Sequence, residues 1–362
     1  MMKHFKLYSN CLLVKGFKRS LIVDTQRIQY QLIPNDLFEI LLKTEKISLD
    51  EIYIEYNIEN KKIIENYFNR LIEEELGFYC NEEEVEWFPK MNIDFQTPFL
   101  IESCIVEELS EVGKYKNLIL QLEDLQCQYI EIIMYETLTN ELLLDILSLF
   151  EKSSINRIGL ILKFDEHKDL TFLKYLTTRF LRIVKIIVHS TEDNEVLNCN
   201  DFNATEIIKS SIIIDSFKFC GVVDMKYFTP HIAHFTESLQ HNTCLNRKIS
   251  IDRNGEIKNC PAISKSFGKL QDTSLATALA DPEFKKYWNV NKDQINTCKD
   301  CEFRHICTDC RGYTEDENDQ YAKPLKCGYN PYTNEWAEWS TNPLKEKAIE
   351  YYGMQDLVKK DV

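Results

Sequence analysis

The sequence predicts an α/β protein in three parts: a small N-terminal α+β unit, a partial (β/α) barrel, and a cysteine-rich C-terminal third. Three observations carry this reading. Strand-like runs alternate with helical patterns between residues 93 and 216, and from the second run onward their starts lie about 25–28 residues apart. Before them, short strand-like runs precede a strongly amphipathic helix. After them, seven of the 13 cysteines crowd into residues 244–327. The expected domains are 1–92, 93–240 and 241–362 of the 362 residues, close to the prior of ~150 residues per domain.

In the first unit, strand-like runs occur at 11–14, 20–24 and 28–32, and a helix follows Pro34 over about 37–42. The clearest helix covers about 60–75. Its apolar residues Ile63, Ile64, Tyr67, Phe68, Leu71 and Ile72 recur in pairs every four residues, which places them on one face. Gly77 suits the exit of that helix, and a hairpin through 78–80 and 85–88 is expected next. Strands, helices and a closing hairpin make the plan of a winged helix-turn-helix. The acidic run Glu82–Glu83–Glu84 falls in the expected turn, as a solvated loop tip.

In the second unit the strand-like runs are 99–106, 129–135, 157–164 and 182–189, with helical patterns at 142–150 and 170–180 and a further strand at 211–215. Four or five βα units cannot close an eight-stranded barrel, so an open or partial barrel is the expected form. Residues 220–241 read as a linker. The tail with Trp336, Trp339, Tyr351 and Tyr352 is expected to pack back on the body.

Composition excludes several functions. Acidic residues exceed basic ones, 58 against 43, giving a net charge of −15. Sequence-independent nucleic-acid binding and attachment to anionic membranes both need the opposite balance. The 10 glycines form neither GxGxxG nor GxxxxGK[ST], which argues against a Rossmann or P-loop nucleotide site. Polar residues interrupt every apolar stretch near the N-terminus, and no apolar run approaches the ~18–20 residues of a membrane span. The expected location is cytoplasmic, where many cysteines point to metal binding or redox chemistry before disulfides.

The third unit is the most specific. Cys244 precedes 248–252, an Asn254-Gly255 pair, 256–259 and Cys260. Asn-Gly flanked by Ile249, Ile251 and Ile257 predicts a hairpin with a type I′ turn, because both central residues of that turn need φ > 0. The hairpin can bring Cys244 and Cys260 together. Further on, Cys298-x2-Cys301-x5-Cys307-x2-Cys310 is followed by Cys327. Two intervening residues let a tight turn aim both sulfurs at one centre. Incidental free thiols fit poorly, since these cysteines sit among Lys299, Asp300, Glu302, Arg304 and Asp309. Zinc and iron–sulfur cubes each take four ligands, so seven cysteines fill one site and leave three for another. His241, His305 or a bound substrate atom could supply the eighth ligand. His231 and His234 could share a helix face, but packing or surface roles suit them better. The six other cysteines, Cys11, Cys80, Cys104, Cys127, Cys199 and Cys220, read mostly as small buried hydrophobes.

The pattern Cys244-x10-Gly255-x4-Cys260, then the central group, then Cys327, resembles the seven-cysteine motif of SPASM domains. These follow radical-SAM barrels in peptide-modifying enzymes and carry auxiliary 4Fe-4S clusters. The family usually has three residues between Cys307 and Cys310, and this chain has two. The resemblance implies two [4Fe-4S] clusters, one on Cys298, Cys301, Cys307 and Cys327 and the other on Cys244, Cys260 and Cys310. The Cys-x3-Cys-x2-Cys of a radical-SAM enzyme is missing after the first barrel strand, where only Cys104 stands before Cys127. The Gly-Gly-Glu stretch after the second strand is also absent; that position reads Met134-Tyr135-Glu136-Thr137. Conventional S-adenosylmethionine cleavage is therefore not expected. A degenerate barrel followed by SPASM is similar to the peptide maturases of grasp-with-spasm systems. That resemblance implies a precursor peptide and an ATP-grasp ligase as partners, with the N-terminal unit holding the peptide's leader segment as an added strand.

Overall fold

The computed structural model describes residues 3–109, 111–199 and 205–359. Its N-terminal unit contains β1 (Lys3–Leu7), β2 (Cys11–Lys15), β3 (Arg19–Asp24), β4 (Gln29–Pro34), α1 (Asn35–Thr44), α2 (Leu49–Glu55), α3 (Lys61–Glu73) and β5 (Gly77–Asn81). Strands β2, β3 and β4 form an antiparallel meander, while β1 pairs antiparallel with β5. Ser48 and Glu51 close a capping box at the start of α2, which satisfies two otherwise free N–H groups. Helix α3 buries Ile64, Phe68 and Leu71, but Ile63 falls outside the buried stripe and is 54% exposed.

Two expectations for this unit need correction. The 78–80 run is a strand, but its partner is β1 at the chain's start, and no hairpin with 85–88 forms. Residues Glu82–Trp87 instead make a 3-10 turn, with Glu84 accepting the Asn81 N–H at 2.8 Å. A carboxylate three residues into a turn is well placed to cap it; Glu82 and Glu83 are exposed there, in a turn that does not join paired strands. Gly77 does not terminate α3; Glu75, at φ 54°, makes that left-handed exit. Gly77 is required because a Cβ there would lie 2.5 Å from the Phe5 ring and 2.6 Å from the Lys6 carbonyl oxygen.

The central unit contains β6 (Ser103–Glu107), α4 (Val112–Asp124), β7 (Tyr129–Ile133), α5 (Asn140–Ser148), β8 (Arg157–Lys163), α6 (Leu170–Arg179), β9 (Ile183–His189), β10 (Glu195–Cys199) and β11 (Thr205–Ser210). Helix α7 (Ile232–Gln240) interrupts the segment read as a linker. Strands β12 (Lys248–Ile251) and β13 (Ile257–Lys258) follow, then α8 (Leu275–Ala280) and α9 (Glu346–Tyr351). The main sheet is open, in the order β10-β11-β9-β8-β7-β6-β12-β13. Its six inner strands are parallel and its two outer strands antiparallel. The expected strand at 211–215 is displaced: the ladder is carried by Thr205–Ser210.

Side chains alternate across this sheet as the pleat requires. Cys104, Val106 and Ile132 face the helices α4, α5, α6 and α8 in the largest core. Ile105, Ile133 and Tyr135 face the other way, onto a small cluster with Ile214 and Phe217. That second face borders the cysteine-rich third, because β12 adds to the sheet beside β6, pairing Ile249 with Cys104 and Ile251 with Val106.

The hairpin at Asn254-Gly255 forms, but with a three-residue loop. Only Gly255 is left-handed, at φ 76°, and its N–H donates to the Asp252 carbonyl at 2.8 Å. A type I turn followed by one left-handed residue serves where I′ was expected. The Asp252 side chain stabilises it by accepting from Asn254 and Glu256 N–H, both at 2.9 Å. The tail packs within the cysteine-rich third: Tyr352 meets the Tyr313 ring edge-on at 5.2 Å and Trp336 lies 4.9 Å from the Tyr329 ring, while Tyr351 stays exposed.

Candidate metal centres

Four of the sequence-predicted cysteines, Cys298, Cys301, Cys307 and Cys327, line one cavity. The first pair is presented by a 3-10 turn entered through Thr297 at φ 66°, with Cys301 N–H donating to the Cys298 carbonyl at 2.9 Å. Cys327 arrives from a distant loop and bridges Val223 in parallel. Phe228, Phe303, Tyr329 and Trp336 wall the cavity. Lys292, which is buried, places its ammonium 3.0 Å from the Cys307 Sγ and donates to the Thr308 carbonyl at 2.9 Å. Burial pushes all of Cys298, Cys301 and Cys307 upward, Cys298 to about 12; Lys292 opposes the rise at Cys298 and Cys307.

The other three predicted cysteines lie elsewhere, around a second cavity. Cys244 and Cys310 line it together with Gly221, Tyr227 and Thr308. Cys260 is buried and close enough to Cys244 and Cys310 to feel the charge of both. Asn242 organises the approach. Its side-chain oxygen accepts from Cys244 and Leu245 N–H at 3.0 and 2.8 Å, and its amide donates to Asp309 at 3.0 Å. Asp309 in turn pairs with Arg311 at 2.9 Å in a buried position. Asn259 donates to the carbonyls of Leu245 and Lys248, tying Cys260 to the Cys244 turn. Lys248 holds its ammonium 3.5 Å from the Cys244 Sγ. The two-residue step from Cys307 to Cys310 thus spans both cavities.

All twelve cysteines described for the chain are free. The sulfurs line cavities; among the described residues no three His, Cys, Asp or Glu side chains lie close enough together to hold a single metal ion. Thiols around a protein-lined space, each set flanked by a buried ammonium, fit a thiolate-ligated cluster, whose irons sit at corners and whose net charge is negative. The sequence reasoning missed Lys292, Lys248, Asn242 and Asp309. Only Asn242, two residues before Cys244, left a local signal, since Asn caps a turn two residues on. It also set aside Cys220 as one more buried thiol, and Cys220 proves to line the second cavity. Cys104 and Cys127 do lie in the central core and Cys11 in the N-terminal one.

Three of the four histidines weighed above are otherwise engaged, whereas the buried Nε2 of His234 has no hydrogen-bond partner among the described residues. His241 bonds Asn289 at 2.9 Å and meets the Phe95 ring at 5.5 Å. His305 bonds Ser238 at 3.0 Å, and burial lowers it to about 4. His231 caps α7 by accepting from Ala233 N–H.

The carboxyl ends of the parallel strands, where such sheets place ligands, carry a different chemistry. Glu107 at the end of β6 is buried and accepts the Tyr135 hydroxyl, and the Arg253 guanidinium lies 4.5 Å from the centre of the Tyr135 ring. Burial raises the Glu107 carboxyl despite the Tyr135 bond and the Arg253 charge. Among the described residues no trio of thiols stands at this mouth, since Cys104 points into the helical core.

Residues 243–302 match the SPASM family model, an iron-sulfur cluster-binding domain. The matched span includes Cys244, Cys260, Cys298 and Cys301. No curated protein matches the chain. Two solved structures of Streptococcus suis SuiB, one bound to precursor peptide SuiA and one bound to S-adenosylmethionine, align at 10% identity over 88% of this chain and 98% of theirs, with TM-scores of 0.33 and 0.34. No helix among the described residues is long and apolar enough to cross a membrane.

Proposed function

We propose that this protein is a maturation component for a ribosomally made, post-translationally modified peptide. It binds the precursor and acts beside an ATP-grasp ligase in the cytoplasm, with two [4Fe-4S] clusters in its C-terminal third. The observation that carries this reading is the division of six of the seven motif cysteines between two cavities, with the buried Cys260 near the second, beside a sheet whose mouth holds Glu107, Tyr135 and Arg253 in place of three thiols. When bound, the clusters can transfer single electrons or hold the surrounding loops in place. The protein's own residues do the rest. Lys292 and Lys248 offset the charge of the thiolates, and Asn242 and Asp309 keep the two ligand turns together. In the N-terminal unit, strand β4 has no partner on its outer side among the described residues, which favours recognition of an extended leader segment by strand addition.

Iron, sulfide and zinc analysis after anaerobic purification tests the centres. Zinc without sulfide would replace clusters by structural zinc sites. Titration with a synthetic leader segment of the precursor tests the partner; no binding at high micromolar peptide removes the peptide role. A second reading, an iron–sulfur oxidoreductase, is favoured by the large cavity that Cys244 shares with Glu102, Tyr129, Arg157, Lys185 and Glu237. Electron uptake coupled to a change in peptide mass would select it.

A further inference from the structure

We propose that Cys220 supplies the fourth thiolate of the second centre. The site of Cys244, Cys260 and Cys310 is then closed by protein and leaves no iron open to substrate. The proposal rests on the cluster reading above and concerns a residue outside the seven-cysteine pattern, 24 positions before Cys244.

Position comes first. Cys220, Cys244 and Cys310 line the same cavity, and Cys260 is near enough to feel the charge of Cys220. The next residue, Gly221, has φ 83°, and a Cβ built on it would stand 2.9 Å from the Cys310 Sγ. The chain therefore passes Cys310 as closely as a glycine allows, which brings its neighbour Cys220 to the same centre. Cys220 is exposed as a residue while lining that cavity.

The segment is also held there. The buried Lys326 donates to the carbonyls of Lys218 and Cys220, the latter at 3.0 Å, and accepts at its own carbonyl from Val223 N–H at 3.2 Å. Val223 bridges Cys327. The strand-like stretch that delivers Cys327 to the first centre thus also fixes Cys220 at the second. An ammonium on main-chain carbonyls costs considerable desolvation in a buried place, and two such bonds on one short loop mark it as built.

The charge suits four thiolates. Lys248 lies among Cys244, Cys260 and Cys220, and Lys326 is near Cys220 and Cys310. Two cations face the four sulfurs. Competing ligands are engaged elsewhere, His241 with Asn289 and His305 with Ser238. Ligation costs the Cys220 thiol its proton, released to solvent, as metal binding to thiols generally does.

The test is electron paramagnetic resonance on anaerobically reconstituted full-length protein, with iron and sulfide counts. A cube held by four thiolates resists losing a corner iron, whereas one held by three loses it on mild oxidation. The wild type, treated with ferricyanide, is expected to show no three-iron signal. Cys220→Ala is expected to lose about one iron per chain and to show that signal, with the first centre's reduced spectrum unchanged as proof of folding. Cys220→Ser serves if the alanine variant does not fold, and Val222→Ala controls for disturbance of the loop. A Cys220 variant that keeps the wild-type iron count and stays silent overturns the proposal, as does a three-iron signal from the wild type. Wild-type protein without sulfide fails earlier and removes the cluster reading itself.

Discussion

The two cysteine-lined cavities sit 3 residues apart along the Cys307–Cys310 step, yet they are anchored to different parts of the molecule. The first shares a hydrophobic core with Val14, Leu21 and Val23 of the N-terminal meander, and with Phe235 of α7. It is walled by aromatic rings, and its neighbour Glu302 binds Arg19 at 2.6 Å and the Tyr329 hydroxyl at 2.5 Å. The second sits against the face of the main sheet turned away from its helices, with Lys248 of β12 and Cys260 beyond β13. One centre therefore ties the N-terminal unit to the C-terminal third, and the other ties that third to the sheet. The difference teaches that the cysteines of a single motif can border all three units when they are divided between two cavities.

The largest effect separates the two joints. On the proposed reading, Cys301→Ala removes a ligand of the first centre only. Metal ligation contributes on the order of 10 kcal/mol to small structural domains, as much as the whole stability of a typical protein. We expect about half of the iron to be lost, and limited proteolysis to free the C-terminal third and the N-terminal meander together. Cys260→Ala should instead spare the N-terminal unit; full metal content and protease resistance in Cys301→Ala would break the comparison.

Arg19→Ala probes the polar part of the first joint. It leaves the Glu302 carboxylate buried with Tyr329 as its remaining partner. Removing one member of a buried pair costs about 3–5 kcal/mol, and the partial exposure of Arg19 places the expected loss at about 2–3 kcal/mol by denaturant unfolding. Cluster spectra of the second centre should not move.

Gly159→Ala probes the sheet side. A Cβ on Gly159 would stand 2.2 Å from the Tyr129 hydroxyl, which now donates to Glu131 at 3.2 Å. The ring must turn, at an expected cost of about 1–2 kcal/mol. Any spectral change should fall on the second centre, and a change on the first would contradict the division.

The smallest effect is a pH dependence. Burial raises Glu237 from 4.5 to about 7, although Asn246 donates to it at 2.8 Å. A carboxyl raised in the folded state binds its proton more tightly there than in the unfolded chain. Its stabilising share is present below pH 4.5 and is lost as pH rises toward 7. Glu237→Gln should be about 1 kcal/mol more stable than wild type at pH 8, after allowance for partial exposure, with no difference near pH 4. Equal stability at both values would mean the carboxyl titrates normally.

Much of this was legible in the residues. The strand-like runs of the central unit, the paired apolar steps of α3 and the Asn254-Gly255 hairpin each express a local pattern or a local φ requirement. The errors occurred where the partner is distant. Residues 78–80 carried a strand pattern, but only the folded chain pairs them with β1, some 75 residues earlier. Gly77 looked like a helix exit and answers to the Phe5 ring. Cys220 looked like other lone cysteines because nothing adjacent to it is unusual except Gly221.

Local chemistry, written in the spacing of Cys298, Cys301, Cys307 and Cys310, was enough to mark these thiols as candidate metal ligands. The short step from Cys298 to Cys301 turns both sulfurs into one cavity, whereas the equal step from Cys307 to Cys310 divides its sulfurs between two. Which cysteine closes which centre, and which ammonium offsets it, depended on the path of the whole chain. Lys292, Lys248 and Lys326 reach their sulfurs or carbonyls through packing between segments far apart in sequence. Contacts of that kind follow from the burial of the entire core and leave no periodic trace along the chain.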